Sequence, residues 1–208
     1  VLFMVIGILS CQSSPSSATE PPLEDMQIAH LSAGDTSAFA KIRTQFVKNN
    51  PGYDMHYLSE TKELPPDENP TVVFIKEGGG TATQTNQDTS KCSVGAILLI
   101  NIGEAFTTDS LFSALVFSVP EAPPDNIPPF VRPDWDMNIT DIPGGCATET
   151  NAYRRILLTW LGKVGPYNFR SLNAHRVRIM DSFSHYHPKE GGFDEFYLVQ
   201  MALPDARI

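Results

Sequence analysis

Basic residues are scarce in this chain. Fifteen Lys and Arg stand against 24 Asp and Glu, for a formal charge of -9. Neutralising a phosphate backbone needs clustered cations, so nucleic acid is excluded as a partner. The densest basic spots, Arg154-Arg155 and His175-Arg176-Val177-Arg178, read as solvated faces. Nucleophile signatures are missing too. There is no Gly-x-Ser-x-Gly turn, and neither Cys92 nor Cys146 sits in a nucleophile motif. Gly78-Gly79-Gly80 lacks the Gly-Lys-Ser/Thr of a phosphate loop and precedes no helix, so that reading fails. No internal repeat is visible.

Charge is also absent from the start of the chain, where Glu20 is the first charged residue. Val1 to Leu9 is apolar apart from Gly7. The run is too short to span a bilayer, which takes about 20 residues. It suits the apolar core of a cleavable signal. Ile8-Leu9-Ser10-Cys11 closes it: an apolar residue, a tolerant position, a small residue and a cysteine. This resembles the lipobox of a bacterial lipoprotein signal peptide. The resemblance covers the first dozen residues, and it implies cleavage before Cys11 and acyl chains on that cysteine. The basic residues that precede such a core are expected upstream of Val1. The alternatives are an ordinary secretory signal with Cys11 unlipidated, or a buried N-terminal element. Gln12 stands where, by the same resemblance, Asp would favour inner-membrane retention. The expected location is therefore the cell envelope, at the outer membrane rather than the inner, with secretion as the alternative. Two lipid signals anchor stably where a single acyl chain holds only marginally.

Residues 11–25 then form a tether. Gln12 to Asp25 is polar and rich in Ser and Pro, with Leu23 as its large apolar residue. Such a segment buries too little surface to offset its ordering entropy. Three regions follow from this: a signal peptide at 1–10, a lipidated Cys and disordered tether at 11–25, and one extracytoplasmic domain at 26–208. That length supports a single good core.

The domain reads as α+β, with a mainly antiparallel sheet of about five strands and two main helices. Ser37 to Asn50 places Phe39, Ile42, Phe46 and Val47 on one helical face, with Asp35 or Thr36 as cap and Pro51-Gly52 as stop. Thr71 to Lys76, Gly95 to Ile102 and Ser110 to Val119 are β-branched and aromatic runs, expected as strands. The last two are expected to pair as a hairpin. Thr81 to Ser90 reads as a mobile loop or weak exposed strand. Ala152 to Val164 is the second helix, with Tyr153, Ile156, Leu157, Trp160 and Leu161 as its stripe. Arg176 to His187 and Phe193 to Leu203 are expected as the last strands.

Four groups of residues carry the functional expectations. With Cys11 lipidated, Cys92 and Cys146 remain, and outside the cytoplasm two leftover cysteines pair. Two free buried thiols are the alternative. Seven prolines stud Pro120 to Gly145, a stretch long enough to be functional or disordered. Phe130 and Trp135 within it are candidate ligand contacts. On a regular strand, His185 and His187 point the same way, with Asp181 on their face. Three such N/O ligands would suit Zn or another transition metal. The bland alternative is a pair of solvated histidines at a strand end, and no cofactor is the default. The leading reading is a lipid-anchored surface protein that binds an envelope protein, a host protein or a glycan. Binding is favoured over catalysis. A metal-dependent enzyme centred on His185 and His187, and a structural envelope component, are the competing classes.

Overall fold

Short β-rich runs that are apolar on both sides, such as Thr-Val-Val-Phe-Ile and Ile-Leu-Leu-Ile, need cover on two faces, and the fold supplies it. The structure is a computed structural model. It describes residues 27–31, 37–85, 89–123, 125, 130–131, 142–143, 152–164, 167–179, 194–199 and 204. In chain order the elements are α1 (Ser37–Asn49), β1 (Asp54–Leu64), β2 (Thr71–Gln84), β3 (Thr89–Ser93) and β4 (Ile97–Ile100). Then come β5 (Phe106–Ser118), β6 (Phe130–Val131), β7 (Ile142–Pro143), β8 (Ala152–Val164) and β9 (Tyr167–Ile179). A six-stranded sheet runs β1-β5-β2-β4-β6, with β3 also on β2. A second sheet runs β7-β8-β9. Every pairing is antiparallel.

The long strand β2 organises the larger sheet. One edge pairs with β5 from Thr71↔Ser118 to Gln84↔Phe106. The other edge pairs with β4 over Thr71 to Phe74 and with β3 over Gly79 to Thr83. The expected hairpin between the runs at 95–102 and 110–119 is therefore not formed. Their strands β4 and β5 lie on opposite sides of β2, which outcompetes the direct link because it satisfies both edges. Of the two readings of Thr81 to Ser90, the strand holds for most of its described part, though as a partly buried strand rather than an exposed one. β2 continues to Gln84, β3 starts at Thr89, and Ala82, Gln84 and Ser90 are buried.

Alternation sorts the core into two faces. Val73, Ile75, Leu98, Ile100, Phe106, Phe112, Ala114 and Val116 fill the inner face. On the outer face, Val72, Ile97 and Leu99 meet Leu172 and Ala174 of β9. Met55 and Phe117 of that outer layer meet Phe46 of α1, with Phe39 and Ile42 beside it. The helix thus turns the predicted stripe to the sheet, with Phe46 buried, Phe39 and Ile42 half-buried and Val47 exposed.

The second expected helix is a strand. Ala152–Val164 is β8, paired with β9 from Ala152↔Ile179 to Val164↔Tyr167. Its apolar residues fit a helical period, but Gly165-Pro166 joins it to a second β-rich run, and cross-strand pairing along the whole hairpin outweighs local periodicity. One helix remains among the described residues. None there is long and apolar enough to cross a membrane. Of the last expected strands, β9 starts earlier, at Tyr167, and residues 180–187 lie outside the described residues. Asp194 to Val199 is in no strand.

The Arg43 guanidinium ties α1 to β1, with its Nε donating to Asp54 Oδ1 at 2.8 Å. That hydrogen bond holds the Asp54 carboxyl below the usual carboxylate range, against partial burial, which raises it. A depressed folded pKa gives stability that is present above the unfolded value and lost as pH falls through the folded one. Both side chains are nearly half exposed, at 48% and 40%. Arg43→Ala is therefore expected to cost less than about 1 kcal/mol at pH 7. In urea titrations the difference from the parent chain should vanish once acid protonates Asp54. A loss that persisted in acid would assign the effect to packing of the Arg43 stem.

Candidate functional site

The structure gathers aromatic side chains on the outer face, between α1 and the large sheet. Phe46 arrives from the last turns of α1, Phe74 from β2 and Phe117 from β5, since alternate residues of those strands face this way. Tyr53 joins from the turn between α1 and β1. The rings meet edge to face: Phe46–Phe117 at 5.8 Å, Phe74–Phe117 at 5.7 Å and Phe46–Tyr53 at 6.3 Å between centroids. Such geometry adds roughly 0.5–1.5 kcal/mol per pair beyond burial. Phe196, from the segment Asp194 to Val199, closes the cluster at 5.2 Å from Phe46 and 5.4 Å from Phe117. Leu198 packs on the same cluster.

The rim of this face is polar. The Tyr53 hydroxyl donates to Glu121 Oε2 at 2.8 Å. Burial first, and the neighbouring Glu121 carboxylate with it, push the Tyr53 phenol up to about 12. The buried Ser171 Oγ has no hydrogen-bond partner. Asn50 Nδ2 donates to Phe46 O at 2.9 Å and also to Asp194 Oδ2. The rim thus fixes the neutral tyrosine and one end of the 194–199 segment.

The inner face offers less. Phe106 and Phe112, with ring centroids 5.0 Å apart, occupy it. Gln84, 1% exposed, donates through Nε2 to Leu99 O at 3.0 Å, and its Oε1 has no partner. At one end His56 is half-buried. Burial lowers its pKa, and Asp54 and Asp67 oppose that shift. Ser118 Oγ reaches Asp67 Oδ1 at 3.5 Å, the limit of a hydrogen bond. Among the described residues no three His, Cys, Asp or Glu side chains are grouped to hold a metal.

Most residues singled out from sequence fall elsewhere. Cys11, Trp135, Cys146, Asp181, His185 and His187 lie outside the described residues. Phe130 opens β6 and pairs with Leu98 on the outer edge of β4. Cys92 sits in β3 opposite Gly80, buried, with no disulfide partner among the described residues, and burial pushes its thiol up to about 12. Sequence reasoning missed the aromatic face altogether. Its rings come from positions as far apart as Phe46 and Phe196, and no local pattern links them.

No family model matches the chain, and no curated protein matches it. Parts of solved structures do superpose on it. A cupin protein from Bacteroides fragilis is 17% identical over 34% of this chain and 65% of its own, with a TM-score of 0.26. A protein from Pseudomonas aeruginosa, named for induction by glyoxylate, is 17% identical over 51% of this chain and 49% of its own, at 0.34. The salicylate 1,2-dioxygenase of Pseudaminobacter salicylatoxidans is 21% identical over 32% of this chain and 20% of its own, at 0.26. Similarity of this order carries no functional argument.

Proposed function

We propose that this chain is a lipid-anchored cell-envelope protein whose β-rich domain binds a partner at its surface. One observation carries the binding part. The inner face is packed with Phe106, Phe112 and their aliphatic neighbours, while the outer cluster, centred on the buried Phe46 and Phe117, reaches solvent through the half-buried Tyr53 and Phe74 and through Phe196, which is 36% exposed. Contiguous apolar surface with a polar rim is a mark of an interaction face. The anchor rests on Ile8-Leu9-Ser10-Cys11 and the Ser/Pro-rich stretch after it. The partner is an envelope protein, a host protein or a glycan. Phe130 and Trp135, in the Pro-rich stretch from Pro120 to Gly145, are proposed to contribute contacts beside the β4 edge. A Cys92–Cys146 bridge would fasten the far end of that stretch.

Acylation tests the anchor. The chain, expressed in a bacterium behind a Met and a short basic leader, is expected to incorporate an alkyne-tagged palmitate and to sediment with outer membranes. Cys11→Ser should lose all label. Label that persists in Cys11→Ser, or a processed chain that never takes label, would sink the lipoprotein reading. The second reading is a metal-dependent enzyme using Asp181, His185 and His187, with Zn or another transition metal. These residues follow β9 in sequence, and β9 pairs regularly to its end at Ile179. Metal analysis by mass spectrometry on untagged protein separates the two. Stoichiometric metal lost in His185→Ala/His187→Ala would favour the enzyme, and metal in neither would leave the binder.

A further inference from the structure

The segment Asp194 to Val199 is β-prone in sequence, yet it runs across the outer face in no strand. Phe196 and Leu198 point into the aromatic cluster, and Asp194 is held by Asn50. Between and beyond these anchors, Tyr197 and Val199 are exposed, and Phe196 itself keeps 36% of its surface in solvent. Lifting this segment would break no β-ladder. The face beneath it would then present Phe46, Phe117 and Phe74 as an apolar groove, with the Asn50 amide, still donating to Phe46 O, keeping one N–H for a new acceptor at one end.

We propose that this groove is the partner-binding surface. Asp194–Val199 is its internal occupant, and the partner is an extended peptide segment that bears an acidic residue, an aromatic residue two positions on and an aliphatic residue two further on. The occupant defines that chemistry. The Asn50 amide donates a hydrogen bond to a carboxylate oxygen. The edges of Phe46 and Phe117 receive an aromatic ring. The cluster beside Leu172 receives a branched aliphatic side chain. Period-two spacing of the anchors is what an extended ligand offers. While the chain's own segment is seated, only the unseated fraction can accept a partner, so apparent affinity is reduced by that fraction. The proposal rests on the domain being a binder, and it names where and what it binds.

The test is fluorescence anisotropy with a labelled hexapeptide, Asp-Glu-Phe-Tyr-Leu-Val, against the full chain. The Phe196→Ala/Leu198→Ala variant, with its internal anchors removed, is expected to bind about tenfold or more tighter than the parent chain. A peptide with Ser in place of Phe and Leu should not bind either protein. Should the double variant misfold by circular dichroism, Asp194→Ala loosens the tether without touching the apolar contacts. It should show a smaller gain of the same sign. Folded variants that bind no better than the parent, or that bind the Ser peptide equally, would overturn the proposal. Variants that form dimers which excess peptide does not dissociate would also overturn it, in favour of a second copy as occupant. A cellular partner whose crosslinking the peptide does not block would overturn the groove while leaving the binding reading intact. Acylation of Cys11 is read separately from all of these.

Discussion

Gly79→Ala is expected to destabilise the domain by about 3–5 kcal/mol, enough to unfold a large share of it. Gly79 has φ of 143°, a conformation that L side chains rarely adopt. A Cβ there would sit 2.2 Å from the carbonyl oxygen of Cys92 and 3.0 Å from Ser93 Cα. Both belong to the backbone of β3, paired with β2 at Gly79↔Ser93, so neither can yield without opening that ladder. The comparison is Gly103→Ala. Its φ is 71°, but a Cβ there meets nothing within 4 Å. Only the left-handed backbone penalty applies, about 1–2 kcal/mol. Urea unfolding midpoints at unchanged slope should separate the two variants clearly. Equal midpoints would mean that β2 and β3 are not paired in this register.

Phe112→Ala should cost about 3–5 kcal/mol, as truncation of a fully buried aromatic residue does. Phe112 is 1% exposed and faces Phe106 across the inner core. Leu111, its neighbour on the same strand, is 53% exposed on the other side. Leu111→Ala should stay within about 0.5 kcal/mol of the parent. Because Phe106 and Phe112 share one cluster, Phe106→Ala and Phe112→Ala should not add when combined. Thermal and urea unfolding of the four variants would check this. If Leu111→Ala and Phe112→Ala were indistinguishable, the inner face would not be the core of this domain.

How much of this was legible in the sequence depends on what each segment had to bury. Thr71 to Ile75, Ile97 to Ile100 and Ala114 to Val119 are covered on both faces, so their apolar runs read directly as strands. The α1 stripe was equally plain, because one face of a lone helix must be apolar. β1 was not recognised. Asp-Met-His-Tyr-Leu-Ser-Glu-Thr-Lys-Glu-Leu carries charges on its exposed positions, and only Met55 and Leu64 are buried. β8 was misread because Tyr153, Ile156, Leu157, Trp160 and Leu161 satisfy a helical period, while its true partner, β9, is visible only in three dimensions. The triple glycine reads in sequence only as a run without the partners of a phosphate loop. That each of its members lies against a neighbouring strand or its side chain could not be seen without the pairing. The candidate face was illegible for the same reason.

The place of β5 has a consequence for how the chain emerges. In sequence β1 comes directly before β2, but in the sheet β5 lies between them. The pairing of β1 begins at Asp54↔Ser118. Until β5, from Phe106 onwards, has left the ribosome or the export channel, β1 and the helix that packs on it have no sheet to join. A growing or threading chain would then hold its first strand unpaired while β2, β3 and β4 are delivered. Closure comes late and over long separations, the condition under which β domains fold slowly and rely on escorts.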